Sequence, residues 1–292
     1  MILRYVWVCL FMAGMLVPLA AIEWTFGATG SGLSLFDTRG AGQVTLLLSI
    51  LVMVLAYWRY VAGGDPAALF SRYLHQWRRA SRGFWSVYLV LTIVIVLIYL
   101  GLAAAGRMGF SQEAWDAFGY KTLERTIVGV LGVVVLATTE EIMFRVFLMR
   151  HLRWNESGPV TAAAIVFSSF VFAASHNLTD PLAWLTPEQM PLFVGLFVFG
   201  AAHAVVYIAT GSFWCNIGMH TALLGSKVVL RKTELFPLDE SGWLLGGRED
   251  IRAAPLVWAL FALIALVAWL NRARLRRAFA VEERVVDGAE RV

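Results

Sequence analysis

The sequence predicts an all-α fold, a polytopic transmembrane bundle of about eight helices. Three observations carry this. Of the 292 residues, 59% are hydrophobic and only 15% are charged, far less charge than a soluble domain of that length carries. Mean hydropathy is +0.70. Apolar windows of about 18 to 25 residues, the length that spans a bilayer, recur at 5–23, 43–61, 84–105, 126–149, 158–176, 191–209, 212–230 and 254–271. Few residues remain for a separate soluble domain. No internal repeat or low-complexity stretch interrupts the pattern.

The first window follows Arg4 and ends near Ala20 and Ala21. Its apolar run is longer than a signal-peptide core, so a retained helix is expected. After the second window, Leu69, Phe70, Tyr73, Leu74 and Trp77 interleave with Arg72, Arg78 and Arg79. Such a mixture suits a short helix lying in the membrane interface, in contact with anionic lipid. The fourth window carries Glu140, Glu141 and Arg145, and the fifth ends on His176, before Asn177, Asp180 and Pro181. The sixth holds His203 among Gly195, Gly200 and Ala204, small residues that let helix backbones meet in lipid. The seventh holds Asn216 and His220. From Asn271 the tail is basic and then acidic. Cys9 and Cys215 both lie in apolar runs, without a zinc-type Cys neighbour, so no disulfide framework is expected.

The net charge of +4 is read through topology, not nucleic acid. With the N-terminus cytoplasmic, the inside segments collect Arg72, Arg78, Arg79, Arg82, Arg150, Arg153 and the arginines of 272–277, while the loop at 177–190 has no Lys or Arg. An even number of helices then places both termini inside. The chain shows no organellar presequence, which points to a bacterial inner membrane.

An ionised side chain at bilayer depth costs a few kcal/mol even on lenient insertion scales, so intramembrane charge marks function by default. Glu141 and Arg145 are four apart, share a helical face and are expected to pair. Glu140 points away from Glu141 at about 100° per residue and has no such partner on its own helix. A carboxylate in that setting suits a water-activating base. The plainer reading is that both carboxylates brace Arg145 or a neighbouring helix. Measured at ~1.5 Å rise per residue from the cytoplasmic helix ends, Glu140 and His220 lie at similar depth, and His176 lies about 13 Å beyond Glu140. Both histidines are read as buried. His220, mid-segment, is the harder of the two to explain as structure, whereas His176 also suits a helix-end cap. His203 reads as a structural histidine bonded to a backbone carbonyl, and His75 and His151 as solvated surface.

These residues form a recognisable set. Glu140-Glu141-Ile-Met-Phe-Arg145 reads as an EExxxR motif, and Phe172-Ala-Ala-Ser-His176 as FxxxH. Phe197-Val-Phe-Gly200, then Tyr207-Ile-Ala-Thr-Gly211-Ser-Phe-Trp214, then His220 complete the order. The chain resembles the CPBP family, the type II CaaX prenyl endopeptidases and their bacterial relatives, which are intramembrane proteases. The resemblance covers roughly residues 120 to 230. It divides the chain into N-terminal membrane helices at 1–110 with the basic segment near 66–82, a catalytic helix core at 120–230, and a last helix with a basic tail at 254–292.

By position, the resemblance implies Glu140 as the general base, His176 helping to hold the water, His220 as the second histidine, and Glu141 with Arg145 as supporting groups. No cofactor is favoured: zinc would find two histidines and a glutamate on three helices, without HExxH spacing. The family's last motif usually has Asn or Asp four residues after the histidine, where this chain has Leu224. Asn216, one turn before His220 on the same face, is the candidate replacement for stabilising the oxyanion.

The function expected is therefore an intramembrane endopeptidase acting on a membrane-anchored or C-terminal peptide segment, with the bilayer and a protein or peptide substrate as partners and no nucleic acid. The alternative is a non-catalytic scaffold, immunity factor or chaperone of the same fold, favoured by Leu224. A transporter with a Glu140–His176 proton relay is opposed by the lack of inverted repeats and broken helices.

Overall fold

The computed structural model describes Val52 and residues 77–149, 152–153, 157–177, 181–237 and 251–280. The helix expected at 5–23, that at 43–61 apart from Val52, the basic segment before Trp77 and the end of the acidic tail lie outside the described residues.

The described residues contain no β-strand, and the fold is an all-α bundle. Its helices are α1 (Trp77–Ala104), α2 (Gln112–Asp116), α3 (Tyr120–Glu141), α4 (Gly158–Ala174), α5 (Met190–Thr210), α6 (Phe213–Thr233), α7 (Pro255–Leu270) and α8 (Arg272–Phe279). A π-helix, Ile142–Met149, continues α3.

Three spans, Arg78–Ala104, Tyr120–Met149 and Met190–Thr210, are each long and apolar enough to cross a membrane. A fourth arises if α7 and α8, bent by 81°, count as one. The sequence expected six crossings in this part of the chain. The two that fall short do so for different reasons. α4 has 17 residues, about 26 Å at 1.5 Å each, just under a ~30 Å hydrocarbon core. α6 is long enough but polar. Its run from Cys215 to Leu223 is buried on every side, so it needs no continuous lipid-facing apolar surface.

The chain divides into two compact units, one of residues 1–72 and 134–164, the other of 73–133 and 165–292. In the second unit α1 packs along α6. Gly218 of α6 abuts the backbone of Phe84, where an added Cβ would have only 2.5 Å to the Phe84 carbonyl oxygen. That close approach is what small residues provide in lipid, where helix association rests on packing. α5 packs on α7 through Phe199 and Phe261, with ring centroids 5.0 Å apart, and on α4 where Gly200 meets Ser169.

The helix ends explain the connections. Gly211 closes α5 in the left-handed region at φ 63°, its N–H donating to the Tyr207 carbonyl at 2.8 Å. Glycine takes that conformation without a Cβ penalty, so the chain reverses into α6 within two residues. Pro255 opens α7 at a position where its missing N–H costs nothing. Arg276 Nε donates to the Ile208 carbonyl at 3.0 Å, and Arg79 to the Ala280 carbonyl at 3.2 Å. Residues 79, 208–211 and 276–280 thus share one end of the unit. α1 and α6 run away from that end and α5 and α7 run towards it, the alternation that successive membrane crossings require.

Of the first unit, the description covers Val52, the end of α3, the π-helix, Leu152, Arg153 and the start of α4. The π-helix is buried from Phe144 to Met149.

Candidate active site

The carboxylates stand in the first unit. Thr138 and Thr139 return their hydroxyls to the Val134 and Val135 carbonyls at 2.7 and 3.0 Å, so their polarity is satisfied within the helix. Glu141 and Arg145 pair as the sequence predicted, Arg145 Nε lying 3.2 Å from Glu141 Oε2, and neither side chain exceeds 1% exposure. Breaking such a buried pair costs about 3–5 kcal/mol, because the remaining charge stays buried. Glu140, by contrast, is half-buried.

One expectation changes here. Glu140 has electrostatic contact with Arg145, second to that of Glu141, where regular helical spacing gave it no partner on its own helix. Five residues separate them, and in a π-helix residue i bonds to i+5. Glu140 stands in the last turn of α3 and Arg145 on the π-helix that follows, so regular 3.6-residue spacing does not hold between them. π-helical turns are rare and occur frequently at functional sites. All three charged groups of the EExxxR motif are therefore electrostatically joined.

The imidazoles stand in the second unit. His220 is buried on α6, and His203 is wholly buried on α5. Their rings meet edge to face with centroids 5.1 Å apart. Phe199 lies against both, 4.2 Å from His203 and 4.9 Å from His220. Asn216 is also wholly buried, and its Nδ2 donates to the His203 carbonyl at 2.8 Å. One proton of the amide proposed for the oxyanion is thus already engaged.

His176 is exposed, not buried as the sequence suggested. α4 stops at Ala174, and the tighter turn Ser175–Asn177 carries the ring out of the helix packing. His176 Nδ1 lies 2.8 Å from the Phe172 carbonyl. A carbonyl oxygen only accepts, so Nδ1 carries the proton and Nε2 the lone pair in the neutral ring. The ring also packs on Phe172 at 4.7 Å, and Phe172 packs on Phe199 at 5.7 Å. An aromatic chain therefore runs from His176 through Phe172 and Phe199 to the His203–His220 pair. Phe172 and His176 of the FxxxH motif and the later motif histidine His220 are thereby linked within one packed cluster.

His203 is the residue that the sequence reading set aside. A signal was present: Phe199-Gly-Ala-Ala-His203 repeats the Phe-x-x-x-His spacing of Phe172 to His176. On metal chemistry, this unit brings two imidazoles together, whereas a zinc site takes three or four protein ligands. The pair by itself does not complete such a site.

A family model described as type II CAAX prenyl endopeptidase Rce1-like matches residues 122–223. That stretch begins in the first turn of α3, contains every motif from Glu140 to His220, and ends one residue short of Leu224. The family recognised from the motifs is the one this match supports. Comparison with curated proteins and with solved structures gave no match.

Proposed function

We propose, taking the Rce1-like core at 122–223 as premise, that this membrane protein is an intramembrane endopeptidase that works without a metal. Glu140 accepts a proton from water. The resulting hydroxide attacks a peptide carbonyl in the substrate's membrane-proximal segment, and the tetrahedral intermediate collapses as the amine leaves with a proton. His176, with its lone pair on Nε2, assists in holding the water. His220 supplies the second imidazole, and Asn216 a donor towards the oxyanion. Substrates are a C-terminal peptide, as in CaaX processing, or a membrane anchor, signal remnant or peptide precursor. We assign the protein to a bacterial inner membrane with both termini cytoplasmic; that Arg79 and the Arg272–Arg277 cluster share one end of the unit supports that end as the cytoplasmic one.

The observation that carries the reading is the joined Glu140–Glu141–Arg145 group where α3 passes into the π-helix, inside an otherwise apolar span. A bilayer retains such charge where chemistry needs it. Leu224, in place of the family's usual amide, supports a second reading as a non-catalytic scaffold.

The test is cleavage in proteoliposomes. Membrane-anchored candidate peptides are presented to wild type and Glu140→Gln, with and without chelator, and read by mass spectrometry. Cleavage by wild type only, insensitive to chelator, is expected. Activity lost to chelator and restored by zinc would replace the metal-free mechanism. Equal cleavage by both proteins would remove Glu140 from catalysis, and cleavage by neither would favour the scaffold.

A further inference from the structure

Within the second unit lies a cavity of about 340 Å³, in the lower part of the range that ligand sites occupy. α1 lines it from Tyr88 to Ala103 and α6 from Ala222 to Leu230, while Met108 and Phe236 line it beyond the ends of these helices. Its origin lies in the packing. α1 and α6 run parallel and touch through Gly83 and Gly218 near their starts. The gap opens further along, where no glycine brings the two backbones together and Tyr99 reaches across to Ser226.

Three features describe what would fill it. The first is shape: the lining on α1 spans fifteen residue steps, roughly 22 Å at 1.5 Å each, a length that accommodates a chain from one leaflet of a ~30 Å hydrocarbon core. The second is chemistry. The wall is overwhelmingly apolar, and Ser226 is turned to the Leu223 carbonyl at 2.7 Å while also bonding Tyr99. On the rim, Val96, Leu100 and Val229 are 47%, 60% and 41% exposed, so a chain can enter sideways from the bilayer. The third is charge at the end nearest Met108 and Phe236. Arg107 precedes Met108, and the exposed Arg231 and Lys232 follow Leu230, with Glu234 beside them and Glu113 and Asp116 on α2 as the acids of the same end. Phe110 packs on Trp115 and on Phe236 at the same end, with centroids 6.1 and 5.8 Å apart. Aromatics beside cations mark headgroup level.

We propose that this cavity binds one acyl chain of an anionic phospholipid, whose phosphate is held by Arg231 and Lys232. The site is independent of the catalytic reading and would exist in a scaffold as well.

Gly225 supplies the test. It lines the cavity, and a Cβ built on it meets only Val130 Cγ1, at 4.0 Å. Gly225→Leu therefore sends a side chain into the cavity from a position where its Cβ makes only ordinary van der Waals contact. The full chain is reconstituted in phosphatidylcholine vesicles carrying a trace of phosphatidylglycerol or phosphatidylcholine with a diazirine on the acyl chain. After irradiation, labelled peptides are mapped by mass spectrometry. The expected result is several-fold more label on 88–103 and 222–230 from the phosphatidylglycerol probe. Gly225→Leu abolishes that label but retains label at the exposed Leu263 and Leu266 of α7, which reports an intact bundle. Arg231→Gln with Lys232→Gln brings the two probes to parity. Undiminished label in Gly225→Leu, or equal labelling of wild type by both probes, would overturn the proposal. So would stronger labelling of the same peptides by a farnesyl-chain diazirine, which would assign the cavity to an isoprenoid.

Discussion

Asn216 donates its side-chain amide to the main-chain carbonyl of His203 at 2.8 Å, tying α6 to α5 beside the ring of His220. A hydrogen bond within the core thus holds the motif histidine His220 against an imidazole, His203, that no motif names. Deleting it by Asn216→Ala removes a buried bond, costing about 1 kcal/mol, and is expected to lower turnover by ~10² if the amide also serves the oxyanion. Thermal unfolding in detergent and single-turnover cleavage separate the two effects. Lost stability with unchanged turnover would make the residue purely structural.

The Glu141–Arg145 pair is fully buried, so removing one partner is worse than removing both. Glu141→Gln or Arg145→Met alone is expected to destabilise by about 3–5 kcal/mol, and the double substitution by clearly less. A double-mutant cycle on unfolding free energy reads the difference. Additive losses would show that the pair contributes little.

Exposure divides the histidines. His176→Gln leaves the core intact, since the ring is exposed, and is expected to keep the unfolding temperature while lowering turnover at least ~10². His220→Gln is expected to lower both, because it disturbs the packing with Phe199 and His203. Unchanged cleavage by His176→Gln would dismiss it from the site.

Two glycines on one helix give opposite results. Gly218→Ala forces a Cβ against the Phe84 backbone and is expected to cost about 1–3 kcal/mol, as overpacking does. Gly225→Ala makes only ordinary contact, with Val130 at 4.0 Å, and is expected to stabilise by ~0.5–1 kcal/mol through helix propensity. Calorimetry in one detergent compares them. Equal effects would mean that α1 and α6 adjust freely at Gly218.

Hydropathy located the six long described helices, because the need to bury apolar length is a property of the local chain, but α1 and α3 begin seven and six residues before the windows that marked them and α2 lies outside every window. The pairing of Glu141 with Arg145 was equally legible, since a spacing of four sets one helical face. The joining of Glu140 to Arg145 was not, because the π-helical turn that carries Arg145 has no simple residue signature. Nor was the exposure of His176, which depends on where α4 tightens into a 3₁₀ turn, or the apposition of His203 and His220. A helix's rotation about its axis is set by what packs on it, and in α5 and α6 apolar residues surround the polar ones on every side. The sequence by itself determined that charge and imidazole stand inside a membrane bundle. Only the tertiary structure decided which imidazoles meet within a unit and where α1 and α6 part to leave a cavity, because contacts between helices distant in sequence fix both.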